Sequence, residues 1–563
     1  MNIDITHYSE HIYAYPVGKD ELNVRIKVRK RAFDKIFVYY KNLYDHTENI
    51  SKKELNLLLE DQYYALYEAV IKVKERRFKY YFELLKGEEK INYTADGIIE
   101  KPKQMNYFYY PVINDDDILE LPKWAEGEII YQILIDRFFD ANPNNNPEGV
   151  KTVTELPDRS TYYGGDFEGI IEKLDYIKSL GTKIIYLSPV FLSPTYHKYD
   201  IKDYYKIEEI YGGEEGLKAL VDNAHQKGMK IVLDCVYNHC SVEHEYFQDV
   251  IKNEGKSRYK DWFYLEDFPI DTESGNYDSF GGLVPSMPRF NTVNQEVIDY
   301  LVDVAVYWTK KLNIDGWRLD VCDEVSCRLW REFRRRLKEV NPEILIIGEV
   351  WNHATKWMSG DQVDTVTNYK YRKWLLDFLT EKITSKEFWE KINTNKMLYK
   401  TPHYNYLVNL VGSHDTIRLK TFIEDENLHY LSLALTLTLD GMPLIYYGDE
   451  IALEGDEDPD NRRAFRWDLV NTKQKLELIK DLGKLRNTHQ ALKKGNTFPI
   501  ITDDRIIAFQ RRFLDEALTV VINFSNESKT LQVKGDEIIY GDAKLVNSNL
   551  IVNKESMVIL KNK

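Results

Sequence analysis

Cysteine is scarce: the 563 residues hold only Cys235, Cys240, Cys322 and Cys327. Four are too few for a disulfide scaffold in a chain this long, so the fold must be held by its own core. Positive charge is also short, with 76 Lys and Arg against 91 Asp and Glu, a formal net charge of −15. That balance repels phosphate polyanions and anionic bilayers, which excludes nucleic acid and membrane surfaces as main partners and leaves a neutral polar ligand. No apolar run approaches a membrane span, and Met1 to Val17 lacks the basic stretch and apolar core of an export signal, so the expected compartment is the cytoplasm. Tryptophan is absent before Trp124. Any aromatic platform in that part must be built from tyrosine, although packing of sheet faces is the simpler use.

What is present is rhythm. From residue 20 to about 123 the pattern is β: Leu22-Asn23-Val24-Arg25-Ile26-Lys27-Val28 alternates strictly, and 69–74 and 79–82 are similar. After Trp124 it changes. An amphipathic helix (Ile170, Leu174, Ile177, Leu180), a Gly181 stop and the strand 183–187 form one unit. The unit returns as Leu217 to Ala224, Gly228 and a strand ending on Asp234, then as Val297 to Trp308, Asn313 and a strand ending on Asp320. It returns again as Trp330 to Leu337 and a strand ending on Glu349, and further strands fit 407–411 and 443–447, leading to Asp415 and Glu450. Helix, stop, apolar strand and polar end, repeated, describe a parallel sheet buried on both faces. Because the polar ends follow many different strands, the expected fold is multidomain α/β around a central (β/α)8 TIM barrel, whose site gathers at the C-terminal ends of its strands. The expected divisions are an N-terminal β-sandwich over 1–123, the barrel over 124–239 and 295–497, an inserted domain over 240–294 after the third strand, and a C-terminal β domain over 498–563.

Asp320, Glu349 and Asp415 thus converge on one cavity. Three carboxylates could coordinate a metal, or perturb one another so that one is an acid and another a nucleophile. Arg318 separates these readings. Two residues before Asp320 on one strand, it points the same way and keeps Asp320 ionised and oriented, which a nucleophile needs and a metal site does not. One ionised and one protonated carboxylate suit acetal hydrolysis, with Glu349 as general acid and Asp320 attacking the anomeric carbon. His239 and His414, at two strand ends, are candidate donors to sugar hydroxyls. Cys235 and Cys322 lie beside these acids, which raises a redox or metal role against the plainer reading of small buried apolar residues.

Four stretches, 234–239, 316–320, 348–352 and 412–415, resemble in order and spacing the short conserved motifs of the α-amylase family, glycoside hydrolase family 13. Met287-Pro288-Arg289-Phe290-Asn291-Thr292 resembles the marker of its neopullulanase, cyclomaltodextrinase and maltogenic amylase subgroup, and the N-terminal module is similar to a family-34 carbohydrate-binding domain. The resemblance implies a retaining hydrolase of α-1,4 and α-1,6 glucosidic bonds in cyclodextrins, maltooligosaccharides or pullulan. It casts Asp320 as nucleophile, Glu349 as acid/base and Asp415 as the third carboxylate. Tyr199, His239, Arg318, His414, Asp458 and Arg462 would hold the attacked glucose, with Asp234 and Asn238 as supports. It also implies a calcium ion, for which Asp140, Asn142, Asn145, Asn146, Gly164 and Asp166 could supply oxygens, against the alternative of an Asn-rich turn without an ion. A homodimer in which one chain's N-terminal module narrows the other's active site is implied as well. Where the subgroup has Ala-Asn before Glu324, this chain has Cys322-Asp323. A glycosyl transferase of the same fold and a non-catalytic carbohydrate-binding relative are the competing expectations.

Overall fold

The computed structural model describes residues 4–502, 504–533, 535–546 and 549–562. They form two compact units, 1–121 with 386–404, and 122–385 with 405–563.

The first unit is a sandwich of two antiparallel sheets. Leu22, Val24, Ile26 and Val28 of the strand Glu21–Arg29 face Ile36, Val38, Phe82 and Leu84 across one apolar core. By the period of a strand, Asn23 and Arg25 point away from that core, yet both are buried. Asn23 donates to Tyr15 and Glu68, and residues from much later in the chain meet Arg25. The Arg25 guanidinium donates to the Tyr399 carbonyl at 2.7 Å, reaches Thr401 and pairs with Glu68 at 3.1 Å. Asn393 Nδ2 adds a bond to the Glu60 carbonyl at 2.7 Å. Helix Ser385–Lys396 and the turn after it therefore interrupt the sequence of the barrel but serve the sandwich.

The second unit holds eight parallel strands: β1 (Ile130–Ile133), β2 (Ile184–Leu187), β3 (Lys230–Cys235), β4 (Gly316–Leu319), β5 (Leu345–Gly348), β6 (Thr365–Val366), β7 (Val408–Leu410) and β8 (Met442–Tyr446). They pair in the order β6-β5-β4-β3-β2-β1-β8-β7. A parallel bridge from Thr367 to Val408 brings the two ends together, with Asn368 N donating to the Val408 carbonyl at 2.7 Å. The (β/α)8 architecture is thus as expected, and the apolar runs are strands buried on both faces. Helix Gln295–Leu312 begins on Asn294, whose side chain accepts from Glu296 N, and stops on Asn313 in left-handed conformation (φ 57°). Two details depart from the pattern. The helix expected from Ile170 to Leu180 is two short ones, Phe167–Glu172 and Leu174–Ser179, because Lys173 N is shared between the Gly169 and Ile170 carbonyls and tightens the turn there. Strand β6, only two residues long, has no periodicity to betray it.

Between β3 and helix Gln295–Leu312 the inserted segment carries helix Glu245–Asn253 and a hairpin of Ser279–Phe280 with Val284–Pro288. Arg289 clasps it to the barrel, donating to Asn238 Oδ1 (3.1 Å), Asp278 Oδ2 (3.0 Å) and the Glu324 carbonyl (2.7 Å). The C-terminal strands, Asn496–Ile500 to Ser556–Lys561, make antiparallel sheets of five and three strands.

Candidate active site

The register of β3 on β4 places Asp234 directly opposite Arg318, and that of β4 on β5 places Arg318 opposite Ile347, two residues before Glu349. Three acids therefore converge on one guanidinium. Arg318 Nη1 lies 2.7 Å from Asp320 Oδ1 and 3.1 Å from Asp234 Oδ1, and Nη2 lies 2.9 Å from Glu349 Oε2. The expected contact between Arg318 and Asp320 is present and is shared with Asp234 and Glu349, but the guanidinium does not by itself keep Asp320 ionised, because burial outweighs it. Asp234 is fully buried and also accepts from Tyr186 (2.6 Å) and Tyr199 (2.9 Å), the position of a support. Burial pushes the Asp320 carboxyl well above the usual carboxylate range, with Arg318 opposing and the charges of Glu349 and Asp234 adding to it. Glu349 is raised by burial as well, Arg318 pulling it down and Asp415 pushing it up. With one fixed positive charge for three buried acids, the cluster retains a proton.

Val321, next after Asp320, adopts a left-handed backbone (φ 45°) that a β-branched residue rarely takes. The twist aims its N–H at Glu349 Oε2, 2.8 Å away. The other oxygen, Oε1, accepts from Trp351 Nε1 at 3.2 Å, and the Trp351 ring lies flat on Tyr369 at 3.8 Å while 46% of the residue stays exposed. Cys322 is buried, and so are Cys235 and Cys240; all four cysteines are free. Burial pushes the Cys235 and Cys322 thiols well up, as for inert apolar packing rather than redox work.

Above these acids opens a cavity of about 510 Å³, walled by Tyr199, His239, Phe280, Asp320, His414, Asp415, Asp458 and Arg462 among others. Tyr199 stacks against His414 with ring centres 5.3 Å apart. His414 Nδ1 meets Gln132 Nε2 at 2.6 Å, while Nε2 lies 2.6 Å from Tyr199 Oη and 3.1 Å from Asp415 Oδ2. With the amide donating to Nδ1, the proton sits on Nε2, and burial beside Arg318 and Arg462 keeps the ring neutral. His239 Nε2 bonds the Tyr199 carbonyl at 3.2 Å, leaving Nδ1 buried without a partner among the described residues. Phe280, from the inserted hairpin, leans on this ring at 4.8 Å. Arg462 links Asp415 (3.4 Å) to Asp458 (3.0 Å), and Tyr196 Oη lies 3.2 Å from it. Tyr199, His239, Arg318, His414, Asp458 and Arg462, the residues expected to meet a substrate, are thus brought to one place. Trp351, Tyr369 and Phe280 were not foreseen. Trp351 had a signal, an exposed aromatic two residues past Glu349, whereas the other two arrive from distant stretches.

A second group lies in the turn after β1. The oxygens Asp140 Oδ1, Asn145 Oδ1 and Asn146 Oδ1 are buried with no hydrogen-bond partner among the described residues. Gly164 (φ 78°) passes so near that a Cβ there would fall 2.4 Å from Asn146 Oδ1. Unpaired oxygens without donors fit a hard cation. Asn142 and Asp166 are differently engaged, for the Asn142 side chain accepts from Asn144 N (3.3 Å), and Asp166 accepts from Gly169 N (2.6 Å) and Asn142 N (2.9 Å).

Comparisons with known proteins agree with this geometry. Residues 132–483 match the alpha amylase catalytic domain, and residues 1–114 the alpha amylase N-terminal ig-like domain. A cyclomaltodextrinase of Thermoanaerobacter pseudethanolicus is 37% identical, covering 99% of both chains. Neopullulanase 2 of Thermoactinomyces vulgaris is 37% identical, covering 95% of this chain and 93% of that one. A solved cyclomaltodextrinase structure superposes with a TM-score of 0.93 at 31% identity, covering 99% of each chain.

Proposed function

Since this chain belongs to the α-amylase family of glycoside hydrolases, we propose that it cleaves α-1,4 glucosidic bonds of cyclodextrins and maltooligosaccharides, and α-1,6 bonds such as those of pullulan, with retention of configuration. The observation that carries the reading is the bracketing of one guanidinium by Asp320 and Glu349 beneath a cavity lined by Tyr199, His239, His414, Asp415, Asp458 and Arg462. The substrate range follows the relatives named for cyclomaltodextrins and pullulan.

In the first step Asp320 attacks the anomeric carbon as the glycosidic bond breaks, and Glu349 gives its proton to the departing oxygen. In the second, Glu349 takes a proton from water, which displaces Asp320 from the same carbon. Arg318 holds Asp320 through Nη1 and tunes both acids, and the Val321 amide fixes one oxygen of Glu349 so that the other meets the leaving group. Tyr199 stacks on the sugar, neutral His414 holds Tyr199 and Asp415 in place through Nε2, the unpartnered Nδ1 of His239 bonds a hydroxyl, and Asp415, steadied by Arg462, grips two more. Calcium, held by Asp140, Asn145 and Asn146, would supply the partner these buried oxygens lack and brace the turn after β1, taking no part in bond breaking. A chelator is expected to lower the melting temperature without abolishing turnover.

Asp320→Asn and Glu349→Gln are each expected to reduce cleavage of maltotriose by at least about a thousandfold while calorimetry still registers binding. Wild-type turnover in either variant overturns the assignment. NMR of the first product should show the α-anomer; the β-anomer would exclude a nucleophilic Asp320. One observation favours a second activity, transfer to another sugar: the exposed face of Trp351 beside Glu349 offers an acceptor ring a stacking surface. Products longer than maltotriose would establish it. A cytoplasmic homodimer completes the reading. Four free cysteines suit a reducing compartment, and sedimentation velocity tests the dimer.

A further inference from the structure

Residues 151–163, between β1 and helix Phe167–Glu172, form a loop fastened from within. Thr152 N and Oγ1 donate to Glu155 Oε2 (2.8 and 2.9 Å), and Ser160 N and Oγ donate to Asp158 Oδ1 (2.8 and 2.7 Å). Lys151 pairs with Asp158 at 3.2 Å, and Tyr163 Oη donates to the Glu155 carbonyl at 2.6 Å. At the root, the buried Arg137 guanidinium lies between the rings of Tyr163 (4.7 Å) and Tyr196 (4.1 Å). The loop is a rigid presenter, and what it presents is Arg159.

Arg159 lines the active-site cavity together with Thr195, Tyr196, Asp458 and Arg462. Among the described residues it has neither a hydrogen-bond nor an ion-pair partner. The other charged groups on that wall are engaged: Asp320 by Arg318, Asp415 and Asp458 by Arg462, Asp200 by Ser193. A guanidinium held on a braced loop and left unpaired in a cleft of acids is a binding group waiting for acceptors. The four nearby carboxylates repel an anion, so the acceptors belong to a neutral polyol, whose hydroxyls can take hydrogen bonds from Arg159 and give them to Asp458.

We propose that Arg159 is a substrate-binding residue. It grips hydroxyls of a glucose unit further along the chain than the one attacked at Asp320, and so makes productive binding depend on glucan length. This rests on the hydrolase reading above.

The test compares kcat/KM for maltotriose and maltoheptaose in wild type, Arg159→Ala and Arg159→Lys, with calorimetric titration of maltoheptaose into Asp320→Asn and into Asp320→Asn/Arg159→Ala. Loss of a charged hydrogen bond should lower the maltoheptaose-to-maltotriose ratio of kcat/KM about tenfold in the Ala variant, chiefly through KM, and weaken maltoheptaose binding by a similar factor. Lys should recover part of both. An unchanged ratio, or equal losses on both sugars, overturns the assignment while the hydrolase reading stands. If wild type cleaves neither sugar and Asp320→Asn binds neither, the hydrolase reading falls and Arg159 falls with it.

Discussion

At Arg318 a single side chain answers Asp234, Asp320 and Glu349, and this sets a pH dependence. Arg318 pulls the carboxyls of Asp320 and Glu349 down against the upward push of burial. Lysine has no fork and cannot reach both acids at once. In Arg318→Lys each acid should move further up, so the acid limb of kcat/KM, where the cluster must lose its first proton, shifts to higher pH, and kcat falls at least about a hundredfold. A pH–rate profile in the wild-type position would refute this. Asp320, Glu349 and Asp415 were legible in the sequence because an acid after an apolar strand points into a barrel's mouth. The partnership of Arg318 with Asp320 was legible from the two-residue spacing. Its partnership with Asp234 and Glu349 was not, because it depends on the register between strands, which one sequence does not fix.

Among elements, the long strands and helices declared themselves by period, while β6 and the hairpin Ser279–Phe280 with Val284–Pro288 did not, being too short to show one. The hairpin matters for the site because it carries Phe280 to His239. Beside backbone bonds to 238–242, its attachment includes Arg289, which reaches Asn238 after β3, Asp278 in the insertion and Glu324 after β4. Arg289→Ala removes all three contacts. The expected result is a melting temperature lower by several degrees, consistent with one or two charge-assisted bonds of about 1.5–3 kcal/mol each, and a KM raised more than kcat is lowered. A variant with unchanged melting and unchanged KM would mean that the backbone bonds from Cys240 N to Pro288 O, Val242 N to Ser286 O and Phe290 N to Asn238 O hold the segment without the side chain.

At the scale of the molecule, a buried acid outside the chemistry couples stability to pH. Glu450 accepts from Tyr131 (2.6 Å), Tyr176 (2.9 Å) and Gly448 N (2.9 Å) but pairs with no cation among the described residues, and burial pushes its carboxyl from 4.5 up to about 7. The folded state therefore keeps a proton that the unfolded chain releases, and stability falls as pH rises through that interval, by roughly 3 kcal/mol once above it. Glu450→Gln does not titrate. Its melting temperature relative to wild type should rise between about pH 5 and about pH 8, and a constant difference would exclude the effect. The assignment of residues 386–404 to the sandwich is the large-scale feature the sequence hid, since an alternating strand says which face is apolar and not what will cover the other. That arrangement has a consequence in time. Arg25 and Tyr399 stand 374 positions apart, so at about 5–20 residues per second a ribosome releases the first strands roughly twenty to seventy-five seconds before the carbonyl that receives Arg25 exists. The sandwich strands are made early but wait for 386–404 to complete their fold, and throughout that interval the nascent chain carries an open polar face.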